Sequence, residues 1–213
     1  SINEAHQIIR EAFSECVIKE ETLNEDEILG RVSSSEILAA IEVPHFNRST
    51  VDGYAVRAED VSGSSESMPM LLEMIGEVEM GKDTELTLSA GQCAYVPTGG
   101  MIPSGADSVV MIEYTEPFSE TSIAVYSPTV KKENILAKGD DLMVGQPIIK
   151  KGQIILPKDL GVLASTGHRV ASVYAKPKVA LISTGDEIVT RSEDLSPGKI
   201  LDINTYALTG LIK

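Results

Sequence analysis

Between Pro44 and Lys132 the chain reads as a succession of short apolar segments, and this rhythm limits the fold more than any other feature. "YAVRAEDV", "MLLEMIGEVEM", "CAYVP", "SVVMIEYTE" and "SIAVYSP" are rich in Val, Ile, Tyr and Met, and clusters of Gly, Pro and Ser separate them. Such spacing predicts a compact all-β module. The serine-rich "VSGSSESMP" reads as a surface loop within it.

The flanks follow a different period. Ile2, Ala5, Ile8, Ile9, Ala12, Phe13 and Val17 fall on one helical stripe, and Ser1-x-x-Glu4 has the form of a capping box. "NEDEILGRV" predicts a second, short helix with Asn24 as its cap, leading into a strand over 36–43. Beyond the β module, "IIKKGQII" reads as a hairpin around Lys151-Gly152. "PKDLGVLASTG" reads as a helix opened by Pro157 and ended by Gly167, with the strand "RVASVYA" after it. Because helix-rich segments bracket the β module, the module is expected to be an insertion in a discontinuous domain. "KPKVALISTGDEIV" then gives an apolar strand over 179–182, a turn of small and acidic residues, and a helix in "INTYALTGLIK". Strand, loop and helix in that order begin a three-layer α/β domain, and one strand cannot bury both faces of a sheet. The expectation is a fragment of a longer protein.

A chain of 213 residues is long enough to bury a real core, with 42% apolar residues and no Trp. Its 32 acidic against 18 basic residues give a net charge of −14, a field that repels phosphate backbones and anionic lipid surfaces. Nucleic acid and membrane are therefore not expected partners. No apolar run reaches the length of a membrane span and the amino terminus lacks a signal pattern, so the expected location is cytoplasmic. Cys16 and Cys93 have no metal-type spacing to His6, His45 or His168.

Four small polar clusters stand where apolar segments begin or end: Ser49-Thr50-Val51-Asp52-Gly53, Pro97-Thr98-Gly99-Gly100, Gly139-Asp140-Asp141 and Ser183-Thr184-Gly185-Asp186-Glu187. Adjacent glycines let backbone N–H groups approach an anion, so the Thr98 loop is a candidate nest; the plain alternative is a tight turn. The acidic clusters admit a magnesium reading, beside that of solvated turn acids. Two carboxylates about 4 Å apart repel by about 4 kcal/mol at an effective dielectric near 20. Neighbours in extended backbone also diverge, so one of Asp140 and Asp141, and one of Asp186 and Glu187, is expected to face a site. Lys131, Lys132 and Lys138, and Lys176, Lys178 and Lys199, are candidate counter-charges or ordinary surface lysines. No Walker loop, GxGxxG, HExxH or GxSxG occurs.

"VPHFNRSTVDGYAV", "VPTGGMIPSGADSVVMIEY", "KGDDL", "LISTGDEIV" and "GKILDINTYAL", in this order, resemble the MoeA family of molybdopterin molybdenumtransferases, which includes the E domain of gephyrin. The resemblance implies insertion of molybdate into adenylated molybdopterin, with magnesium, giving molybdenum cofactor and AMP. It implies a homodimer, and a MogA-like adenylyltransferase and other molybdopterin pathway proteins as partners. The implied fold is α+β and multidomain. Residues 1–43 and 136–177 would form a discontinuous helical or mixed domain I, 44–135 an inserted β domain II, and 178–213 the incomplete beginning of a MogA-like, three-layer α/β molybdopterin-binding domain III.

By motif, the resemblance implies catalytic roles for Asp52, Asp141 and Glu187, and substrate binding by Ser49, Thr98, Gly99, Gly100, Thr184 and Gly185. Asp186 and Glu187 are the implied magnesium ligands. Thr50-Val51 departs from the family's usual Ala-Met, and Leu136 stands where many members carry an arginine, which Lys138 would have to replace. The piece alone is expected to be inactive. A noncatalytic scaffold or binding module, and a different magnesium-dependent phosphoryl or nucleotidyl enzyme, are the competing readings.

Overall fold

The computed structural model describes residues 1–212, which fall into two compact units: Thr22–Val173, and Ser1–Glu21 together with the chain from Tyr174 on. The centre of the first unit is a six-stranded sheet. Its strands run in the order Ser108–Met111, Gly53–Val56, Gln92–Val96, Met70–Glu77, Ser122–Val125, Thr115–Ser119. All neighbours are antiparallel except Met70–Glu77 and Gln92–Val96, which run parallel.

Side chains alternate between sheet faces, and here both faces are covered. Tyr54, Val56, Leu72, Cys93, Val110, Ile123 and Val125 pack on one side with Val61. Ala55, Val96 and Val109 pack on the other with Val78 and Ile102. Burial on both faces explains why "SVVM" and "CAYV" are continuously apolar instead of alternating. Helix Ala58–Val61 supplies Val61, and the Asp107 carboxylate accepts its first N–H at 2.7 Å.

Gly53 sits where the sheet is tightest. It pairs with Val96 on one side and Met111 on the other, and a Cβ there would lie 2.0 Å from the Val110 carbonyl oxygen. Only glycine fits, so the residue before it, Asp52, enters the sheet at a fixed register.

A separate core joins distant parts of the same unit: Ile28 and Ile37 pack with Ile149, Ile155, Leu163, Ala171 and Val173. Helix Pro157–Ser165 opens at Pro157, as read from sequence, and its Asp159 carboxylate accepts the Leu156 N–H at 2.9 Å. Gly167 follows in the left-handed region at φ 79°.

Three expected elements of this unit differ. Asn24 ends a strand, Glu20–Asn24, and the chain turns over 25–30 in place of a helix, with the Asn24 carbonyl accepting the Glu27 N–H. The strand expected over 36–43 shortens to Ile37–Leu38, paired with Pro147–Ile149. That pairing also undoes the hairpin: the turn at Lys151-Gly152 is present, but Ile154 pairs with Val32 and not with the strand before it.

In the second unit, helix Ile2–Phe13 carries the full Ser1/Glu4 capping box, yet none of its residues is buried; Ile2 is 76% and Phe13 66% exposed. Helix Asn204–Ile212 forms as expected. The strand expected over 179–182 does not: residues 176–185 carry no regular structure, and the only ladder nearby among the described residues is the parallel pair Ile188–Val189 with Ile200–Leu201. An apolar run lacking a neighbour to complete its hydrogen bonds has no reason to extend into a strand.

Candidate functional site

Two of the polar clusters meet in the Thr22–Val173 unit. The Gly53 strand and the Gln92–Val96 strand are adjacent and antiparallel, so the residues before the first and after the second emerge at one edge. There the Asp52 carboxylate accepts the Thr98 N–H at 2.7 Å. The Ser49 carbonyl accepts the Gly99 N–H at 2.8 Å, and the Gly100 carbonyl accepts the Ser49 N–H at 2.9 Å. Asp52, Ser49, Thr98, Gly99 and Gly100 are thus assembled within one chain.

The same bonds rule out a backbone nest. The Thr98 N–H goes to Asp52, the Gly99 N–H to Ser49 and the Gly100 N–H to the Pro97 carbonyl at 2.8 Å. No N–H of the loop is left to hold an anion, so the tight-turn alternative describes its backbone, with Gly99 at φ 84°. The buried Ser49 hydroxyl is also engaged, donating to the Val51 carbonyl at 2.6 Å. What faces outward is the Thr98 hydroxyl and the second oxygen of Asp52, neither with a partner among the described residues.

The Gly139 cluster lies farther along the same seam. Ser49 and Arg48 pair with Ile135 and Leu136, the Asn134 carbonyl accepts the Thr50 N–H, and the Asn47 side chain accepts the Lys138 N–H at 2.9 Å. The Gly139 N–H bonds the Pro44 carbonyl and the Asp141 N–H the Val43 carbonyl. Asp141 therefore sits beside Val43, and no hydrogen bond or ion pair joins it to Asp52. Asp140 closes its own turn by accepting the Ala137 N–H at 2.8 Å, while the exposed Asp141 carboxylate has no partner among the described residues. Lys138 pairs with Glu42 at 2.9 Å, so it is not a free cation in place of the arginine absent at Leu136.

Thr184, Gly185, Asp186 and Glu187 belong to the other unit. Glu187 folds back over Gly185, its carboxylate oxygens 2.8 Å from where a Cβ would lie. The Ile188 N–H closes the turn onto the Gly185 carbonyl at 3.1 Å. The Lys199 ammonium donates to the Asp186 carbonyl. Among the described residues no group of three or more His, Cys, Asp or Glu could hold a metal ion, so Asp186 and Glu187 do not form a protein cage.

Sequence reasoning missed Asp202. It is buried, accepts the Thr205 N–H at 3.0 Å, and starts helix Asn204–Ile212. Hydrogen bonds from the Thr205 hydroxyl and N–H, then from the Ser183 hydroxyl and the Asn204 N–H, hold its carboxyl below the usual range against the opposing effect of burial. An acid three residues before Thr205, ahead of an apolar stretch, was the available signal. Also missed was a cavity of about 480 Å³ beside Gly99, lined in part by His45, Phe46, Lys82 and Met101.

Residues 1–167 match the family model described as the MoeA N-terminal region, domains I and II. A molybdopterin molybdenumtransferase of Staphylococcus epidermidis is 36% identical over the whole chain, which covers 50% of that protein. One of Nostoc sp. is 35% identical over 86% of the chain, covering 42% of that protein. A solved molybdopterin biosynthesis MoeA protein of Pyrococcus horikoshii superposes with a TM-score of 0.83 at 38% identity, over 97% of this chain and 53% of that one. The chain thus spans about half the length of the relatives it matches. Among the described residues no helix is long and apolar enough to cross a membrane. The chain has an α+β fold like that of the MoeA structures and belongs to the MoeA family, with its N-terminal region in residues 1–167.

Proposed function

We propose that the protein to which this chain belongs is a cytoplasmic molybdopterin molybdenumtransferase, inserting molybdate into adenylated molybdopterin and releasing AMP. The observation that carries this reading is 36% identity across all 213 residues to a curated enzyme of that name. The Asp52–Thr98 contact adds physical content: a carboxylate fixed through one oxygen leaves the other oriented for a proton or a cation, and the Thr98 hydroxyl stands next to it. Ser49, Gly99 and Gly100 serve as the frame of this site, through the bonds that consume their backbone groups.

Asp141 supplies a second, unengaged carboxylate in the same unit. Thr184, Gly185, Asp186 and Glu187 form a further acidic turn, and magnesium would be held there by one carboxylate together with substrate oxygens, since the protein residues alone make no cage. The division into domains 1–43 with 136–177, 44–135, and a MogA-like domain from 178 on is part of this reading. The two separate cores within the Thr22–Val173 unit, one built from Ile28, Ile37 and Ile149–Val173 and the other from the six-stranded sheet, support the separation of 44–135 from the segments that flank it. A homodimer and a partnership with a MogA-like adenylyltransferase belong to the same proposal.

The test is AMP release from adenylated molybdopterin by the full-length protein, with and without molybdate. Molybdate-dependent release supports the proposal. Release indifferent to molybdate favours another phosphoryl or nucleotidyl enzyme, and no release favours a scaffold. The 213-residue chain alone is expected to show no turnover, and detectable turnover would contradict that part of the reading.

A further inference from the structure

A second cavity, of about 620 Å³, lies in the Thr22–Val173 unit, and its lining shares no residue with the Asp52–Thr98 edge. The strand ladder explains its make-up. Thr115 lies opposite Val125 and Glu116 opposite Ala124, and the Tyr114 carbonyl accepts the Tyr126 N–H at 2.9 Å, which carries the pairing one step further. Side chains two apart share a face, so Tyr114, Glu116 and Tyr126 project from the same side of the sheet. The Tyr126 hydroxyl donates to one Glu116 oxygen at 3.1 Å. Glu113 joins from the turn before the strand and Glu66 from the serine-rich loop, and neither carboxylate has a partner among the described residues. The lining contains no Lys, Arg or His.

Two phenol rings beside carboxylates without a counter-charge favour a cation over an anion, because the ring faces attract it as the carboxylates do. The carboxylates nevertheless stand apart: among the described residues no three acids are close enough to hold a metal ion. A bare ion would satisfy one of them, whereas a chain with ammonium groups at both ends reaches two and lays its methylenes against the tyrosines. The volume falls in the range of small-ligand sites.

We propose that this cavity binds a flexible organic cation with two or more ammonium groups, of diamine or polyamine type. One ammonium lies against Tyr114 and Tyr126 beside Glu116, and the other meets Glu113 or Glu66. The assignment goes beyond the proposed reaction and does not depend on it.

Isothermal titration of the 213-residue chain at fixed ionic strength with spermidine and putrescine, beside butylamine, magnesium and trilysine, tests the proposal. Spermidine or putrescine is expected to bind with a Kd below about 1 mM, and butylamine and magnesium at least about tenfold more weakly. Glu113→Gln and Glu116→Gln should each weaken binding about threefold, and Tyr114→Leu about threefold through the lost ring. These three side chains are exposed, so the variants do not threaten the fold. Glu193→Gln, at an exposed acid of the other unit, should leave binding unchanged. The proposal falls if neither polyamine binds at about 5 mM, if magnesium or butylamine binds as tightly, or if Glu193→Gln weakens binding as much as Glu113→Gln does, which would mean diffuse attraction to an acidic chain. Tighter binding of trilysine than of spermidine would assign the site to a basic protein segment and overturn the small-ligand proposal.

Discussion

The Asp52–Thr98 edge and the Thr184–Glu187 loop are both short polar clusters at the end of an apolar segment, but they differ in what holds them. The first hangs from a sheet covered on both faces, in a register that Gly53 enforces by leaving no space for a Cβ. The second hangs from two-residue strands, and in its apolar approach Ile182 is 83% exposed. A polar cluster becomes a positioned site only when the segment beneath it is packed. Asp52 therefore acts on a fixed partner, whereas Glu187 touches its own loop.

Core truncation should separate the two regions most strongly. Leu72→Ala, in the buried sheet core, is expected to cost about 2–5 kcal/mol. Ile182→Ala should change stability by less than about 0.5 kcal/mol. Urea unfolding of both variants measures the contrast, and equal losses would mean that the 179–182 run is packed after all.

Asp52 allows a finer division. Asp52→Ala removes the acceptor for the Thr98 N–H and is expected to cost about 0.5–1.5 kcal/mol. Asp52→Asn keeps an oxygen acceptor, so stability should stay within about 0.5 kcal/mol of wild type. In the full-length protein Asp52→Asn should lower turnover by about 100-fold if the charge serves proton transfer. Glu187→Gln should leave stability alone and weaken the magnesium dependence of turnover; an unaltered magnesium titration would remove Glu187 from that role.

Smaller effects follow from titration. Burial pushes the Cys93 thiol up to about 12, so its contribution to stability is complete below the ordinary thiol value of about 8.5 and is lost as pH rises toward 12. Exposed Cys16 should react with a thiol reagent in the native protein, and Cys93 only on unfolding. Asp202 has the opposite sign. Its lowered carboxyl stabilises the Asn204 helix above the ordinary carboxylate range and loses that contribution as pH falls through its folded value. Circular dichroism across an acid titration should show helix loss that Asp202→Asn makes independent of pH in that window.

Much of the fold was legible because local chemistry and tertiary demand agreed. The Ser1 cap, the Pro157 start, the Gly167 stop and the apolar segments of the sheet all carry their own signals. The failures share a cause. Asn24 and Glu27 have the spacing of a helix start, but the following segment is drawn into pairing at Val32 and Ser33 with Ile154 and Val173. Val179–Ile182 has strand composition without a strand to pair with among the described residues. In the site, the identities of Asp52, Thr98 and Ser49 were readable from motifs, but their mutual bonds depend on the pairing of Gly53 with Val96, which is a long-range register. The cavity beside Gly99 was illegible because its walls come from three loops more than 50 residues apart at the extremes, each unremarkable alone.

Hydrogen exchange at the Thr98 amide tests the central claim most directly, that Asp52 fixes the Thr98 loop within this chain. The amide should be protected in the wild-type chain and in Asp52→Asn, lose protection in Asp52→Ala, and be unaffected by Glu187→Gln. Free exchange of Thr98 in the wild-type chain, or undiminished protection in Asp52→Ala, would contradict the account.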